Sequence, residues 1–154
     1  MVQKGMKHEE IVVKLEAMRK QSNALVMLNS LDGLIRSGRL SKSMGVVARI
    51  FNLKPLIKID ELTGKPKVIG AAFTKRGGWR KLVRMVSELY DDGKIKSVSV
   101  VHSNSPKHGA LFGKFIKRHT GLDPVYVTEV SSVSGIHTDK DSFCIGYINT
   151  KVNL

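Results

Sequence analysis

Apolar residues at helical spacing predict the first helix close to the start of the chain. Segment 7–20 places Ile11, Val12, Leu15 and Met18 on one face and charged residues on the others. A helix of this kind is stable when its apolar face is buried against another layer. We therefore expect an amphipathic helix that packs on a sheet.

The most regular helical pattern spans 75–90. Its apolar positions are Trp79, Leu82, Val83, Val86, Leu89 and Tyr90. Gly93 follows its end, where glycine is favoured because it readily adopts a positive φ. A further helix is expected over 106–119, since Ser105 is a suitable N-cap, a proline opens the first turn and Gly121 follows.

Segment 42–53 is apolar around most of its circumference. Its apolar members are Met44, Val46, Val47, Ala48, Ile50, Phe51 and Leu53. A helix without a polar face is buried in a core or lines an apolar cavity. Upstream, Ser30 is expected to open a short helical turn that ends at Gly38.

Short apolar runs predict the β-strands. They are 24–28, 56–59, 67–73, 97–102, 126–130 and 143–148. The second and third flank a Gly/Pro turn, which is typical of an antiparallel pair. Segment 135–141 is expected to be the loop before the last strand. Because helices and strands are interspersed, we expect an α/β fold, with α+β as the alternative, in which a mixed sheet packs with helices as a single domain over 1–154.

The composition is that of a globular chain. Of its 154 residues, 42% are hydrophobic and 25% are charged, so a core can form without disulfides. The single cysteine, Cys144, cannot form an internal disulfide, and no cysteine spacing indicates a metal site. Residues 1–10 lack the apolar stretch of a signal peptide. We expect a cytoplasmic protein that is neither exported nor inserted in a membrane.

The net charge is the unusual feature of the composition. There are 26 Lys and Arg residues against 13 Asp and Glu, which gives +13. Such a charge attracts nucleic acids and anionic membrane surfaces, and it also occurs on plain soluble surfaces. Basic residues on the two helices predicted over 75–119 include Arg80, Lys81, Arg84, Lys107, Lys114, Lys117 and Arg118. A basic nucleic-acid-binding domain is therefore the alternative function, although few aromatic residues and no nucleic-acid-binding motif support it.

Catalytic motifs are not apparent. Cys144 and His137 suggest a nucleophile and a base, but no motif for an orienting acid accompanies them. No Gly-x-x-x-x-Gly-Lys-Ser/Thr phosphate loop occurs either. We expect no catalytic residue, no metal and no cofactor.

Three stretches, in compatible order and spacing, carry a resemblance to a known family. They are Ser30-Leu31-Asp32-Gly33-Leu34-Ile35-Arg36-Ser37-Gly38-Arg39-Leu40-Ser41, Leu53-Lys54-Pro55-Leu56-Ile57 and Val133-Ser134-Gly135-Ile136-His137-Thr138. They resemble the Leu-x-x-Leu-x-x-Gly-Gly-Arg-Ile-Ser segment, the Ile-Lys-Pro turn and the Gly-x-His-Thr-Gly-Pro-Gly loop of the DegV family. The resemblance covers nearly the whole chain, but only the C-terminal domain of the family, so we expect that the N-terminal domain is absent.

The resemblance implies a carrier that holds a long-chain fatty acid and presents it to a separate fatty-acid kinase. It implies a carboxyl-binding region formed by Arg39, His137, Thr138 and Ser41, which a separate N-terminal DegV domain would complete. It also implies an acyl-chain lining on the apolar helix, for which the candidates are Met44, Val47, Ile50 and Phe51. The positive charge would then serve transient contact with an anionic membrane surface.

Two departures from the family pattern concern the same region. Ser37 replaces the first glycine of the Gly-Gly-Arg segment, and Asp139-Lys140-Asp141 replaces Gly-Pro-Gly. Carboxylates at 139 and 141 are expected to repel a bound carboxylate. Taken without the resemblance, Arg39 is equally a cation that favours a helix C-terminus, and His137 a loop histidine bonded to backbone.

Overall fold

The computed structural model describes residues 1–39, 41, 52–60 and 63–149. Its centre is a six-stranded sheet in the order β3-β2-β1-β6-β4-β5. The strands are β1 (Ser22–Met27), β2 (Lys54–Ile59), β3 (Pro66–Ala72), β4 (Ile95–His102), β5 (Val127–Glu129) and β6 (Phe143–Asn149). All neighbouring pairs are antiparallel except β4 and β5, which are parallel, so the sheet is mixed as predicted.

Helices of the described residues flank this sheet. They are α1 (His8–Arg19), α2 (Asp32–Arg36), α3 (Lys75–Asp91), α4 (Pro106–Thr120) and the short α5 (Ser132–Gly135), and a 3₁₀ turn covers Val2–Lys4. Thr74 caps α3, because its hydroxyl accepts a hydrogen bond from the Gly77 amide at 3.0 Å. Gly121 ends α4 with φ 73°, a conformation that glycine adopts without steric cost.

The two long helices cover one face of the sheet and form the main core with it. Alternate strand residues point to this face, including Leu25, Val100 and Ile145, which are all almost fully buried. The link between the helices is aromatic, since the rings of Trp79 and Phe112 stack with centroids 4.9 Å apart and an interplanar angle of 24°.

The opposite face of the sheet carries a second, smaller cluster. Leu28, Leu31, Leu34 and Ile57 are buried there, with Val26, Ile35 and Val68 packed against them. Helix α2 covers this part of the sheet through its apolar side. The sheet is therefore apolar on both faces, although only the first face is covered by long helices among the described residues.

Helix α1 forms where the pattern predicts it, but the predicted packing is wrong. Val12, Val13 and Leu15 are exposed by 43%, 69% and 53%, and no residue of the helix is buried. Of the predicted apolar face, Ile11 and Met18 are half-buried whereas Val12 and Leu15 are exposed, so that face is covered only in part. The remaining strands and long helices lie within a few residues of their predicted bounds.

Two further predictions differ in their outcome. The predicted loop 135–141 overlaps the end of α5, which occupies Ser132–Gly135. The predicted helix 42–53 lies almost entirely outside the described residues. No helix in the described ranges combines the length and the apolar character that crossing a membrane requires.

Candidate functional site

One edge of the sheet gathers the segments that carry the predicted site residues. Strand register places Met27 and His102 beside Phe143, so β1 and β4 end where β6 begins. Lys54 pairs with Ala72 at the same edge, where β3 leads into α3. The segments after β1 and β4, the start of α3 and the connection between β5 and β6 therefore meet here, at the kind of edge where ligands bind in α/β sheets.

Asp141 is bound by side chains from two different helices. The Ser105 hydroxyl donates a hydrogen bond to Oδ1 of Asp141, and Lys75 Nζ lies 3.2 Å from the same oxygen. His108 Nδ1 is 3.5 Å from it and 3.1 Å from the Ser105 oxygen. The hydrogen bond from Ser105 lowers the pKa of Asp141 below its ordinary value, helped by Lys75 and His108 and opposed by partial burial.

Asp139 is bound on the other side of the same segment. The Ser30 hydroxyl donates to Oδ2 of Asp139 and accepts a bond from the Asp32 amide at 3.1 Å. Arg36 on α2 lies 4.0 Å from the second carboxylate oxygen. Both carboxylates that were expected to repel a ligand carboxylate thus have partners within the protein.

Backbone bonds tie this segment to its neighbours. The Asp141 amide donates to the Ser103 carbonyl at 2.9 Å, and the Ser103 amide donates to the Ser142 carbonyl at 3.0 Å. The Asn29 amide donates to the Ser142 hydroxyl at 3.1 Å. Asp141 itself has φ 65°, a conformation that favours glycine.

His137 and Thr138 come directly before Asp139 and contact two of the same neighbouring segments. The backbone of His137 packs against Gly33, where a Cβ would lie 2.7 Å from the His137 carbonyl carbon. The Thr138 hydroxyl lies 3.5 Å from the Ser103 hydroxyl, so the two form a polar pair at this edge. Both residues are half-buried.

An apolar recess opens beside this polar pair. It is lined by Val26, Val101, His102, Ser103, Val130, Thr138, Ser142, Phe143 and Cys144. Val26, Val101 and Cys144 project from three adjacent strands on the sheet face opposite α3 and α4. Burial raises the pKa of the Cys144 thiol to about 12, so the thiol stays protonated and behaves as a small apolar group.

The family model that matches the chain does so over residues 1–150 and describes an uncharacterised protein family, DegV. The chain belongs to the DegV family. A DegV domain-containing protein of Staphylococcus aureus (strain MRSA252) is 28% identical over 138 residues, which is 90% of this chain and 49% of the relative. The DegV chain described here spans about half the length of the curated relatives it matches.

Solved structures share the DegV fold. A DegV protein from Eubacterium eligens, loaded with heptadecanoic acid, superposes with a TM-score of 0.79 at 19% identity, covering 96% of this chain and 52% of its own. The fatty acid kinase (Fak) B3 protein of Streptococcus pneumoniae, loaded with linoleic acid, gives a TM-score of 0.79 at 21% identity, covering 96% and 51%. At these identities the likeness establishes the fold.

The sheet edge where β1 and β4 end and β6 begins brings together some of the predicted carboxyl-binding residues. His137 and Thr138 lie beside the recess region, whereas Arg39 is exposed after the end of α2 and its side chain has no partner within the described ranges. Ser41 is exposed and has interactions of its own. The predicted acyl-chain residues Met44, Val47, Ile50 and Phe51 lie outside the described residues.

Several residues of this edge could not be found from motifs. Ser103, Ser105, Lys75 and His108 reach it through folding, and none of them belongs to a family motif. The one feature of the sequence that indicated such partners was the presence of Asp139 and Asp141 where the family pattern has glycines. Polar partners for two added carboxylates must come from nearby segments, but their identity depends on strand order.

The grouping of serine, histidine and aspartate here is not a catalytic relay. In such a relay the histidine lies between the other two groups and accepts the serine proton. Here the Ser105 hydroxyl donates directly to Asp141, and His108 uses one nitrogen, Nδ1, toward both. Ser105 is also only 5% exposed. Across the part of the chain that the structure describes, no group of three potential metal ligands occurs either.

The basic residues of the two long helices are exposed. They include Arg80, Lys81, Arg84, Lys107, Lys114, Lys117 and Arg118. Because α3 and α4 cover the first sheet face, these cations lie across the sheet from the recess. Nothing in the comparisons supports nucleic-acid binding.

Proposed function

We propose that this chain is a fatty-acid-binding carrier domain. The observation that carries the proposal is the continuity between the apolar second face of the sheet and a polar edge that includes Thr138 and Ser103, which meet at a recess of about 30 Å³. A fatty acid needs both environments, because its chain leaves water favourably whereas its carboxylate requires hydrogen-bond donors. Loaded DegV proteins from Eubacterium eligens and Streptococcus pneumoniae support the assignment of this ligand class.

The carboxyl group is proposed to bind near His137 and Thr138, with Arg39 and Ser41 contributing from the segment after α2. Arg39 is exposed, and its guanidinium donors are not engaged by the described residues. Arginine binds carboxylates through two parallel hydrogen bonds, which suits a head group at a partly wet edge. The acyl chain is proposed to extend over the second sheet face, and Met44, Val47, Ile50 and Phe51 are proposed to contact it.

The proposed activity is transport without catalysis. The described edge holds no activated nucleophile, and a fatty-acid kinase would have to supply any phosphoryl transfer. The name of the pneumococcal protein associates that neighbour with such a kinase. Because the Staphylococcus aureus relative is about twice as long as the matched region, we also propose that a second DegV domain completes the carboxyl site.

A cytoplasmic location and transient contact with an anionic membrane surface are further proposals. The exposed cations of α3 and α4 are the groups that anionic lipid would attract. They face away from the recess, so a bilayer held by them would not meet the recess directly. Sedimentation with phosphatidylglycerol vesicles at low and high salt, comparing the parent with Lys107→Glu/Lys114→Glu, tests the contact.

Native mass spectrometry of the purified chain, followed by lipid extraction, tests the central proposal. The parent should carry a fatty acid, or take up added heptadecanoic acid at a ratio of one to one. Arg39→Ala should weaken this binding at least about tenfold, because it removes a pair of charge-assisted hydrogen bonds and one such bond alone is worth about that factor. Arg118→Ala, which removes an exposed arginine on the other side of the sheet, should retain parental binding.

A parent chain that is empty and rejects added heptadecanoic acid would overturn the proposal for this chain. Tight, salt-sensitive binding to RNA or DNA in the same preparation would favour the nucleic-acid alternative. Equal weakening of fatty-acid binding by Arg39→Ala and Arg118→Ala would show that Arg39 does not bind the carboxyl group specifically.

A further inference from the structure

The connection between β5 and β6 carries Thr138 and has little regular structure of its own. Beyond the four residues of α5, its position depends on bonds to other segments. Such a segment is mobile unless several contacts hold it, because ordering each backbone residue costs conformational entropy. Two carboxylates, one on each side of Lys140, supply side-chain contacts of this kind.

The first contact joins the connection to the segment after β1. Asp139 accepts a hydrogen bond from Ser30, which is 109 positions earlier in the chain. Arg36 lies 4.0 Å from the other oxygen of the same carboxylate. This contact draws the connection toward α2, the side on which Gly33 already meets the His137 backbone.

The second contact joins the connection to the N-terminal ends of the two long helices. Asp141 accepts from Ser105 at the start of α4 and forms an ion pair with Lys75 at the start of α3. Carboxylates are stabilised at helix N-termini, where backbone amides leave a partial positive charge. The carboxylate is therefore favoured by a hydroxyl and a cation, each carried by the first residues of a different long helix or its N-cap.

The backbone at Asp141 adopts a conformation that favours glycine. Its φ of 65° lies in the left-handed region. Aspartate is one of the side chains that tolerate this region best. Its carboxylate contacts Ser105 and Lys75, which a glycine at this position could not do.

We propose that Asp139 and Asp141 are positioning residues which hold the β5–β6 connection closed at two points and thereby fix Thr138 at the mouth of the recess. This inference rests on the proposed fatty-acid function for its effect on ligand exchange. In this proposal the two carboxylates hold the connection and do not repel a ligand. Asp139 is already bound by Ser30 and Arg36. Asp141 is already bound by Ser105 and Lys75.

The decisive variant is Asp141→Gly, because glycine suits the backbone conformation and removes only the carboxylate. Asp123→Asn is the matched control, since Asp123 forms an exposed ion pair with Lys117 away from this edge. Hydrogen exchange of the peptide 131–142 should accelerate about tenfold in Asp141→Gly, the fold-change for one lost charge-assisted hydrogen bond. The urea midpoint should fall only as far as the loss of this one contact predicts, and Asp123→Asn should match the parent in both measurements.

Ligand release provides the second measurement. Chains loaded with heptadecanoic acid should release it about tenfold faster in Asp141→Gly than in the parent, and Asp139→Asn should act in the same direction. Unchanged exchange over 131–142 in Asp141→Gly would overturn the inference. Accelerated exchange with an unchanged release rate would overturn the positioning role. A parent that binds no fatty acid would refute the proposed function, whereas the exchange result would still decide whether the carboxylates hold the connection.

Discussion

Gly33 and His137 pack backbone against backbone, although more than a hundred positions separate them. A Cβ at position 33 would lie 2.7 Å from the His137 carbonyl carbon, closer than real contacts allow. Gly33→Ala should therefore displace α2 or the His137 turn and lower the free energy of unfolding by about 1–3 kcal/mol, the usual range for overpacking. Urea unfolding measures the loss.

Gly135→Ala is the control for this substitution. Gly135 lies in α5, close to His137, and an added Cβ there would meet only Val130, at an ordinary 3.6 Å. Its urea midpoint should equal or slightly exceed the parental value, because alanine restricts the unfolded chain more than glycine does. Equal destabilisation by the two variants would refute the specific contact between Gly33 and His137.

Asp141 should make stability depend on pH in the acidic range. Its folded-state pKa is lowered, chiefly by the hydrogen bond from Ser105, so its contribution is complete above its ordinary value of 3.8 and is lost as pH falls through the folded value. Asp141→Asn should be less stable than the parent by about 1–2 kcal/mol near pH 6. The difference in stability should vanish near pH 2. A difference that does not depend on pH would contradict a stabilising role of the ionised Asp141 carboxylate.

The long elements could be predicted because their signals are local. In α3 the apolar residues repeat at helical spacing and Gly93 follows the end, whereas in α4 a proline at the first turn and Gly121 after the end mark the bounds. The burial of α1 could not be predicted in the same way. An apolar face indicates what a helix would bury but not whether a layer is present to receive it.

The site was predictable only where the family motif reached it. The loop motif predicts roles for His137 and Thr138, which lie at the edge where β1 and β4 end, and those roles stay predictions. The partners of Asp141 depend on where β4 and α3 meet this edge. Ser105 and Asp141 are 36 positions apart, and Ser30 and Asp139 are 109 apart. Contacts over such separations follow from strand order, which no local pattern specifies.

Phe112 should be the largest single contributor to the aromatic core. It is fully buried, stacks on Trp79, and meets the edge of Phe143 with centroids 5.7 Å apart. Phe112→Ala should lower the free energy of unfolding by about 3–5 kcal/mol, because it removes buried area and leaves a cavity. Leu111→Ala, at the adjacent position with 53% exposure, should change it by less than about 0.5 kcal/mol. Similar losses in the two variants would contradict the assigned burial.

Cys144 reports directly on the recess, because its thiol lines it and is the chain's single cysteine. Burial raises its pKa from 9.0 to about 12, which lowers the thiolate fraction about a thousandfold at pH 8. Because Cys144 is half-buried beside the recess and its thiol stays protonated, the native chain should react with a disulfide reagent at least about tenfold more slowly than the urea-unfolded chain. Ser132→Cys in a Cys144→Ala background places a thiol at an exposed position of α5 and should react at the unfolded rate in the native chain. Comparable native and unfolded rates for Cys144 would mean that solvent and reagent enter the recess freely, and an acyl chain could not then be shielded from water there.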